Sequence, residues 1–197
     1  ASLRWVEPLA NDWTLGLPGD LQRSNAAVAR AALEWIGRDI STGITVDAMR
    51  HGFAKAHWPG RLQWMQWQGR PVRVDGAHNP PAAAALAKER CRWFAADQAQ
   101  RWVLAIQAHK QAPAMLKHLL QPNDLAWIIP VPEHRSWSVE QLQLDVPELA
   151  HQLRGAADLT GALTQLAQNG WPQAAPVIAG SLYLIGHLLE TDQLQAE

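Results

Sequence analysis

The chain has 197 residues, 48% apolar and 18% charged, with a formal net charge of −1. It is long enough for one full domain with a sizeable core and part of another, and its balanced charge argues against nucleic acid or a membrane surface as a partner. The one cysteine, Cys91, excludes an internal disulfide framework and fits a reducing, cytoplasmic setting, and no apolar run reaches the length of a spanning helix.

The chain has no charged-then-apolar leader, and its opening on Ala1 rather than Met, directly into a short strand-like segment, is read as a sign of truncation. Leu17-Pro18-Gly19-Asp20-Leu21-Gln22 reads as a turn. Ser24 is then expected to cap a helix running to about Gly37, and Thr45 a second one over Val46 to Ala56. Trp58-Pro59-Gly60 stops that helix, and a domain boundary is placed there, giving segments 1–57 and 58–197. Leu62, Trp64 and Trp67, then Val72 and Val74, flank Gln68-Gly69-Arg70 as a β-hairpin would.

Beyond the hairpin, Asp75-Gly76-Ala77-His78-Asn79-Pro80-Pro81 leads into an alanine-rich helix reaching about Phe94. Short apolar strands are expected at Trp102–Ile106 and Leu125–Val131, with a helix at Pro113–Leu120 between them. Helices follow Ser138 and Asp158, and Pro176-Val177-Ile178-Ala179 feeds through Gly180-Ser181 into a helix over Leu182–Leu189. This alternation predicts an α/β fold: a Rossmann-like, mostly parallel sheet with the N-terminal hairpin at its edge, preceded by a helical segment.

A sheet of this kind takes its ligands at the carboxyl ends of its strands. Three polar motifs fall at such ends: Asp75 to Asn79, His109-Lys110 and Gly180-Ser181. In the first, Gly76 suits a tight turn, Asn79 can cap and Pro80 fits a first helical turn, so half the motif is structural punctuation. Asp75 can accept from ribose hydroxyls, and His78 can donate to a phosphate oxygen. Ser181 either caps its helix or adds a hydroxyl to an anion-favouring helix N-terminus. Lys110 is either a solvated surface lysine or a carboxylate partner.

The eleven tryptophans are scattered and read as packing residues. Among eight histidines there is no His-Glu-x-x-His and no Cys/His pair at zinc spacing, so no metal ligands are assigned. His51, His57, His118, His134, His151 and His187 read as surface or packing residues. A Ser–His–Asp triad of Ser181, His78 and Asp75 lacks a nucleophile-elbow sequence.

Trp58-Pro59-Gly60-Arg61-Leu62-Gln63, Asp75-Gly76-Ala77-His78-Asn79-Pro80 and Gly180-Ser181-Leu182-Tyr183-Leu184-Ile185-Gly186 resemble, in order and separation, the C-terminal signatures of the folylpolyglutamate synthase/dihydrofolate synthase family of the Mur ligase superfamily. Leu17 to Ala27 resembles the turn and helix that close the family's central ATPase domain. The resemblance implies that residues 1–57 are the end of that domain and 58–197 the glutamate-ligase domain. It implies an ATP- and Mg²⁺-dependent ligase that joins L-glutamate to dihydropteroate or folates through an acyl phosphate, cytoplasmic and monomeric. Asn25, Arg61 and Asp75 would be nucleotide-binding, His78 catalytic, and Lys110 and Ser181 glutamate-binding.

Two positions depart from the family pattern. Leu21 stands where many members have His before Gln22, and Gln111 stands where Asp often follows the lysine. A Gly-x-x-x-x-Gly-Lys-[Ser/Thr] loop is absent, so the phosphate and metal ligands are expected in a P-loop domain upstream, and this chain by itself is expected to be inactive. The alternatives are a non-catalytic glutamate- or nucleotide-binding Rossmann-like module, or another amino-acid ligase of the same superfamily.

Overall fold

A computed structural model describes residues 3–38, 43–92, 98–168 and 170–196. It divides into two compact units, Ala1–Arg61 and Leu62–Glu197. The expected helix end near Phe94 and the chain start at Ala1 lie outside the described residues.

The first unit holds two helices, α1 (Asp20–Ile36) and α2 (Val46–Lys55). The α1 helix starts four residues ahead of the expected cap. Gly19 occupies the cap position, Asp20 puts a negative charge in the first turn, and Ser24 lies inside the helix. For α2 the expected cap holds, because the Thr45 hydroxyl accepts from the Ala48 N–H at 3.1 Å. Leu9, Trp13, Ala27 and Met49 form the buried core. Arg50 and Arg30 lie over the Trp13 ring, 4.4 and 5.0 Å from its centroid. The Arg23 guanidinium donates to the Leu9, Ala10 and Trp13 carbonyls and so fastens the irregular N-terminal segment to α1.

The second unit opens with the hairpin β1 (Gln63–Trp67) and β2 (Arg70–Val74). Gln68 and Gly69 both have positive φ, 50° and 72°. That is the two-residue turn whose twist matches paired strands, and glycine takes its second position without strain. Then follow α3 (Pro80–Glu89), β3 (Arg101–Leu104), α4 (Ala112–Leu119), β4 (Leu125–Ile128) and α5 (Val139–Asp145). The chain continues through β5 (Leu153–Gly155), α6 (Leu159–Gln168), β6 (Val177–Ala179), α7 (Leu182–Glu190) and β7 (Gln195–Ala196).

The strands form one sheet in the order β5-β4-β3-β6-β2-β1-β7. The five from β5 to β2 run parallel, and β1 and β7 are antiparallel to their neighbours. The mixed α/β sheet agrees with the sequence reading, with one difference at its edge. The two-residue β7 pairs outside β1, so the hairpin is not outermost.

Successive strand residues feed opposite faces. Trp102, Leu104, Ala126, Ile128, Val177 and Ala179 pack with α3, α4 and α5. Val103, Ala105, Trp127, Ile129 and Ile178 pack with α6 and α7. Fully burying one such side chain contributes about 1.5–3 kcal/mol, and strands covered on both faces therefore read as unbroken apolar runs.

The amino edge of the sheet is held by buried polar groups. Asp124 is 0% exposed and its carboxylate takes a paired contact from Arg90. It also accepts from the Gln100 N–H at 2.7 Å and the Gln121 N–H at 3.0 Å. Gln152 donates to the Gln121 and Asp124 carbonyls, and Gln100 to those of Arg101 and Ala175. These contacts join the segments that enter β3, β4, β5 and β6.

Candidate functional site

The carboxyl edge carries the polar motifs. Beyond β2, the Asp75 N–H donates to the Ile178 carbonyl at 2.9 Å, which prolongs the pairing with β6. Asp75 is 8% exposed, and its two carboxylate oxygens accept from the Leu62 N–H at 3.0 Å and the Ala77 N–H at 2.8 Å. The carboxylate thereby fixes both the turn that follows it and the residue that opens the unit. The His78 Nδ1 lies 2.9 Å from the Gly76 carbonyl. A carbonyl only accepts, so Nδ1 carries the hydrogen and Nε2 is the nitrogen left for a ligand. Asn79 caps α3 by accepting from the Ala82 N–H at 2.9 Å, with Pro80 in the first turn as expected.

Beyond β6, Gly180 has φ +106° and donates to the Ala77 carbonyl at 2.9 Å. A Cβ there would lie 2.4 Å from the Ala105 carbonyl oxygen, so only glycine fits. Ser181 follows, 2% exposed, and accepts from the Tyr183 N–H at 3.1 Å as the cap of α7. Its O–H remains able to donate. Because β6 lies between β2 and β3, three loop starts converge here. From β3 the chain turns to α4 on one face, and from β6 to α7 on the other, which makes this the switch point of the sheet.

Beyond β3, Gln107 bridges to Ser136, and the Lys110 N–H donates to the Gln107 carbonyl at 2.9 Å. The Lys110 carbonyl accepts from the Trp137 indole N–H at 3.0 Å. Its side chain is half-buried, with no acceptor for the ammonium among the described residues. Gln111 occupies the cap position of α4 without a side-chain cap bond.

Asn25 and Arg61 belong to the first unit. Asn25 is exposed on α1 and donates to the Gln22 side chain at 3.0 Å. Both side chains line a cavity of about 250 Å³ whose walls include Leu15, Leu17 and Phe53. Arg61 is half-buried at the end of that unit, and Leu21 is 44% exposed on α1. The structure therefore gathers Asp75, His78, Lys110 and Ser181 on three adjacent strand ends of the second unit.

A cavity of about 620 Å³ at the carboxyl ends of β4 and β5 was not foreseen from the sequence. Its floor is Ile128, Ile129 and Pro130, and its polar walls include His134 and Glu140. The His134 Nδ1 lies 2.7 Å from the Pro132 carbonyl, and its ring meets that of Tyr183 at 4.0 Å between centroids. A hydrogen bond from the Ser138 side chain, helped by the backbone, holds the Glu140 carboxyl below its usual range.

Among the described residues no group of three or more His, Cys, Asp or Glu could hold a metal. No described helix is long and apolar enough to cross a membrane.

A family model described as dihydrofolate synthetase, C-terminal domain, matches residues 62–191. The dihydrofolate synthase/folylpolyglutamate synthase of Bacillus subtilis is 38% identical over 94 residues, which cover 48% of this chain and 22% of that protein. The dihydrofolate synthetase of Saccharomyces cerevisiae is 29% identical over 195 residues, covering 89% of this chain and 44% of that protein. Among solved structures, Mycobacterium tuberculosis folylpolyglutamate synthase complexed with ADP and AMPPCP superposes with a TM-score of 0.73 at 28% identity, over 92% of this chain and 42% of that one. The chain spans less than half the length of the relatives it matches.

Proposed function

This chain belongs to the family of dihydrofolate synthetase C-terminal domains, and on that premise we propose that it supplies the glutamate-holding side of an ATP-dependent ligase that adds L-glutamate to dihydropteroate or to folates. The observation that carries this reading is the convergence of Asp75–His78, Lys110 and Gly180-Ser181 on three neighbouring strand ends. In such a ligase a carboxylate of the acceptor is first phosphorylated by ATP. The glutamate ammonium gives up one proton, its amine attacks the acyl carbon and a C–N bond forms. Phosphate leaves with the electron pair of the broken C–O bond, and the nitrogen loses a second proton to give the amide.

Each residue has a part that its surroundings suit. The Lys110 ammonium pairs with a glutamate carboxylate. The Ser181 O–H, with the first N–H groups of α7, receives the other carboxylate at the positive end of the helix. His78 presents Nε2, and with both ring nitrogens protonated its Nε2–H donates to a phosphoryl oxygen while Nδ1–H keeps the Gly76 carbonyl. Arg61 offers its fork of donors to the polyphosphate, and Asn25, beside its apolar cavity, meets the base. Asp75 acts first by shaping the loop, and we assign it to the ribose side of the nucleotide.

Rate enhancement in this scheme comes from positioning and charge neutralisation rather than from a covalent protein nucleophile. Among the described residues no group of three or more His, Cys, Asp or Glu comes together to hold a Mg²⁺ ion. The P-loop, the metal ligands and most of the pterin site belong to an upstream domain in this proposal, and the enzyme is a cytoplasmic monomer.

The test is titration of the chain with L-glutamate, followed by NMR. Saturable shifts at Lys110 and Ser181, weakened at least about tenfold by Ser181→Ala or Lys110→Ala, are the expected result, since a hydrogen bond to a charged group contributes about 1.5–3 kcal/mol. In a full-length ligase carrying this segment, Arg61→Ala and His78→Ala should each lower turnover. Unchanged turnover in both would remove their assigned roles.

A further inference from the structure

We propose that His134, clamped against Tyr183, is the seat of the amino acid's ammonium group; this rests on the glutamate reading above and adds to it a residue that tells an amino acid from a simple dicarboxylate. The cavity at the ends of β4 and β5 adjoins both loops assigned to the carboxylates. Trp137, on its wall, donates its indole N–H to the Lys110 carbonyl at 3.0 Å. His134, also on its wall, packs on Tyr183, whose N–H is held by Ser181.

The tautomer decides what His134 can do. Its Nδ1 faces the Pro132 carbonyl at 2.7 Å and therefore carries the hydrogen, so in the neutral ring Nε2 holds a lone pair. A lone pair accepts from an ammonium and repels a carboxylate. Two further contacts hold the loop on either side of the ring: the Val131 N–H donates to the Ser136 hydroxyl at 2.7 Å, and that hydroxyl donates to the His134 carbonyl at 3.0 Å.

Glu140, exposed on the same cavity wall and held ionised by Ser138, adds a negative charge. No lysine or arginine lines the cavity among the described residues. The chemistry on offer is that of a cation seat. Carboxylates would meet Lys110 and Ser181, and the ammonium would point toward β4. Glutamate has both kinds of group, whereas glutarate has the same two carboxylates and no amine.

The experiment compares L-glutamate with glutarate as ligands of the chain and of the His134→Phe variant, by NMR titration. Phenylalanine keeps an aromatic ring against Tyr183 and removes the nitrogens. The wild-type chain is expected to bind glutamate about tenfold or more tighter than glutarate, as one charge-assisted hydrogen bond would give. His134→Phe is expected to leave glutarate affinity within about twofold and to erase the preference for glutamate. His134 ring signals should move with glutamate and not with glutarate.

Equal affinity for the two ligands in the wild-type chain overturns the proposal, and so does an undiminished preference in His134→Phe. In either case shifts at Lys110 and Ser181 would leave the carboxylate reading standing. Failure of both ligands to bind saturably overturns both readings together.

Discussion

Replacing Asp124 by alanine tests whether the amino edge of the sheet bears the stability while the carboxyl edge bears the function. Asp124 is fully buried and accepts from Arg90, from the Gln100 and Gln121 N–H groups and, at 3.4 Å, from the Trp102 indole. Truncation leaves the Arg90 guanidinium buried without this counter-charge. Breaking a buried pair in this way costs about 3–5 kcal/mol. The two backbone N–H groups that also lose their acceptor keep the cost at the upper part of that range, about 4–5 kcal/mol.

With a urea slope of about 2 kcal/mol per molar, the midpoint of the second unit's transition should fall by about 2 M. Asp124→Asn keeps one acceptor oxygen but turns an amide toward the donors, so it should also destabilise, by a smaller amount. The assay is equilibrium urea unfolding followed by circular dichroism, paired with the glutamate titration on the folded variants. A midpoint shift under about 0.5 M would refute the energetic argument. A glutamate affinity changed more than about twofold in the folded variant would refute the separation of the two edges.

Gly180→Ala should cost about 3 kcal/mol or more and abolish saturable glutamate binding, because the new Cβ meets the Ala105 carbonyl oxygen at 2.4 Å and φ is +106°; thermal unfolding and the same titration read both effects. Ser138→Ala should cost about 1 kcal/mol through loss of the α5 capping box, measured by urea unfolding. In that variant the Glu140 carboxyl should titrate closer to its usual range by NMR, since the Ser138 side chain is the main cause of its lowering. The sign follows from linkage: a folded pKa below the unfolded one gives stability that is present above the unfolded pKa and lost as pH falls through the folded value. Wild type should therefore lose more stability than Ser138→Ala on acidification below the carboxylate range.

Much of the fold was legible because its signals are local. Gln68-Gly69 between two alternating apolar runs is a turn that few other residues make, and the Asn79-Pro80 and Thr45 caps act within three residues of themselves. The start of α1 was not legible at Ser24. An acidic first turn at Asp20 and tertiary bonds from Arg23 to Leu9, Ala10 and Trp13 favour an earlier start. The belt of Asp124, Gln100 and Gln152 was missed for a related reason. The bonds that tie its separate segments together span 24 to 75 residues, so no window of sequence contains the pattern. β7 has two residues and no periodicity to read.

For the site, a family resemblance singled out Asp75, His78, Lys110 and Ser181, and strand-end position alone pointed to the same three loops. The order β3-β6-β2 that makes those loops neighbours follows from the chain's return through α6, which no motif announces. The contact between His134 and Tyr183 depends on that same return and was likewise hidden.

The backbone bond from Gly180 to Ala77, with Ala105 pressed against the glycine, has a practical meaning for redesign. Main-chain atoms, together with the buried Asp75 carboxylate, set the spacing of the three loops. Side chains projecting from them can then be exchanged one at a time without disturbing the frame they hang from. A library varied at positions 78, 110, 134 and 183 and constant at 77, 105 and 180 would therefore sample new acceptor preferences on an unchanged mount.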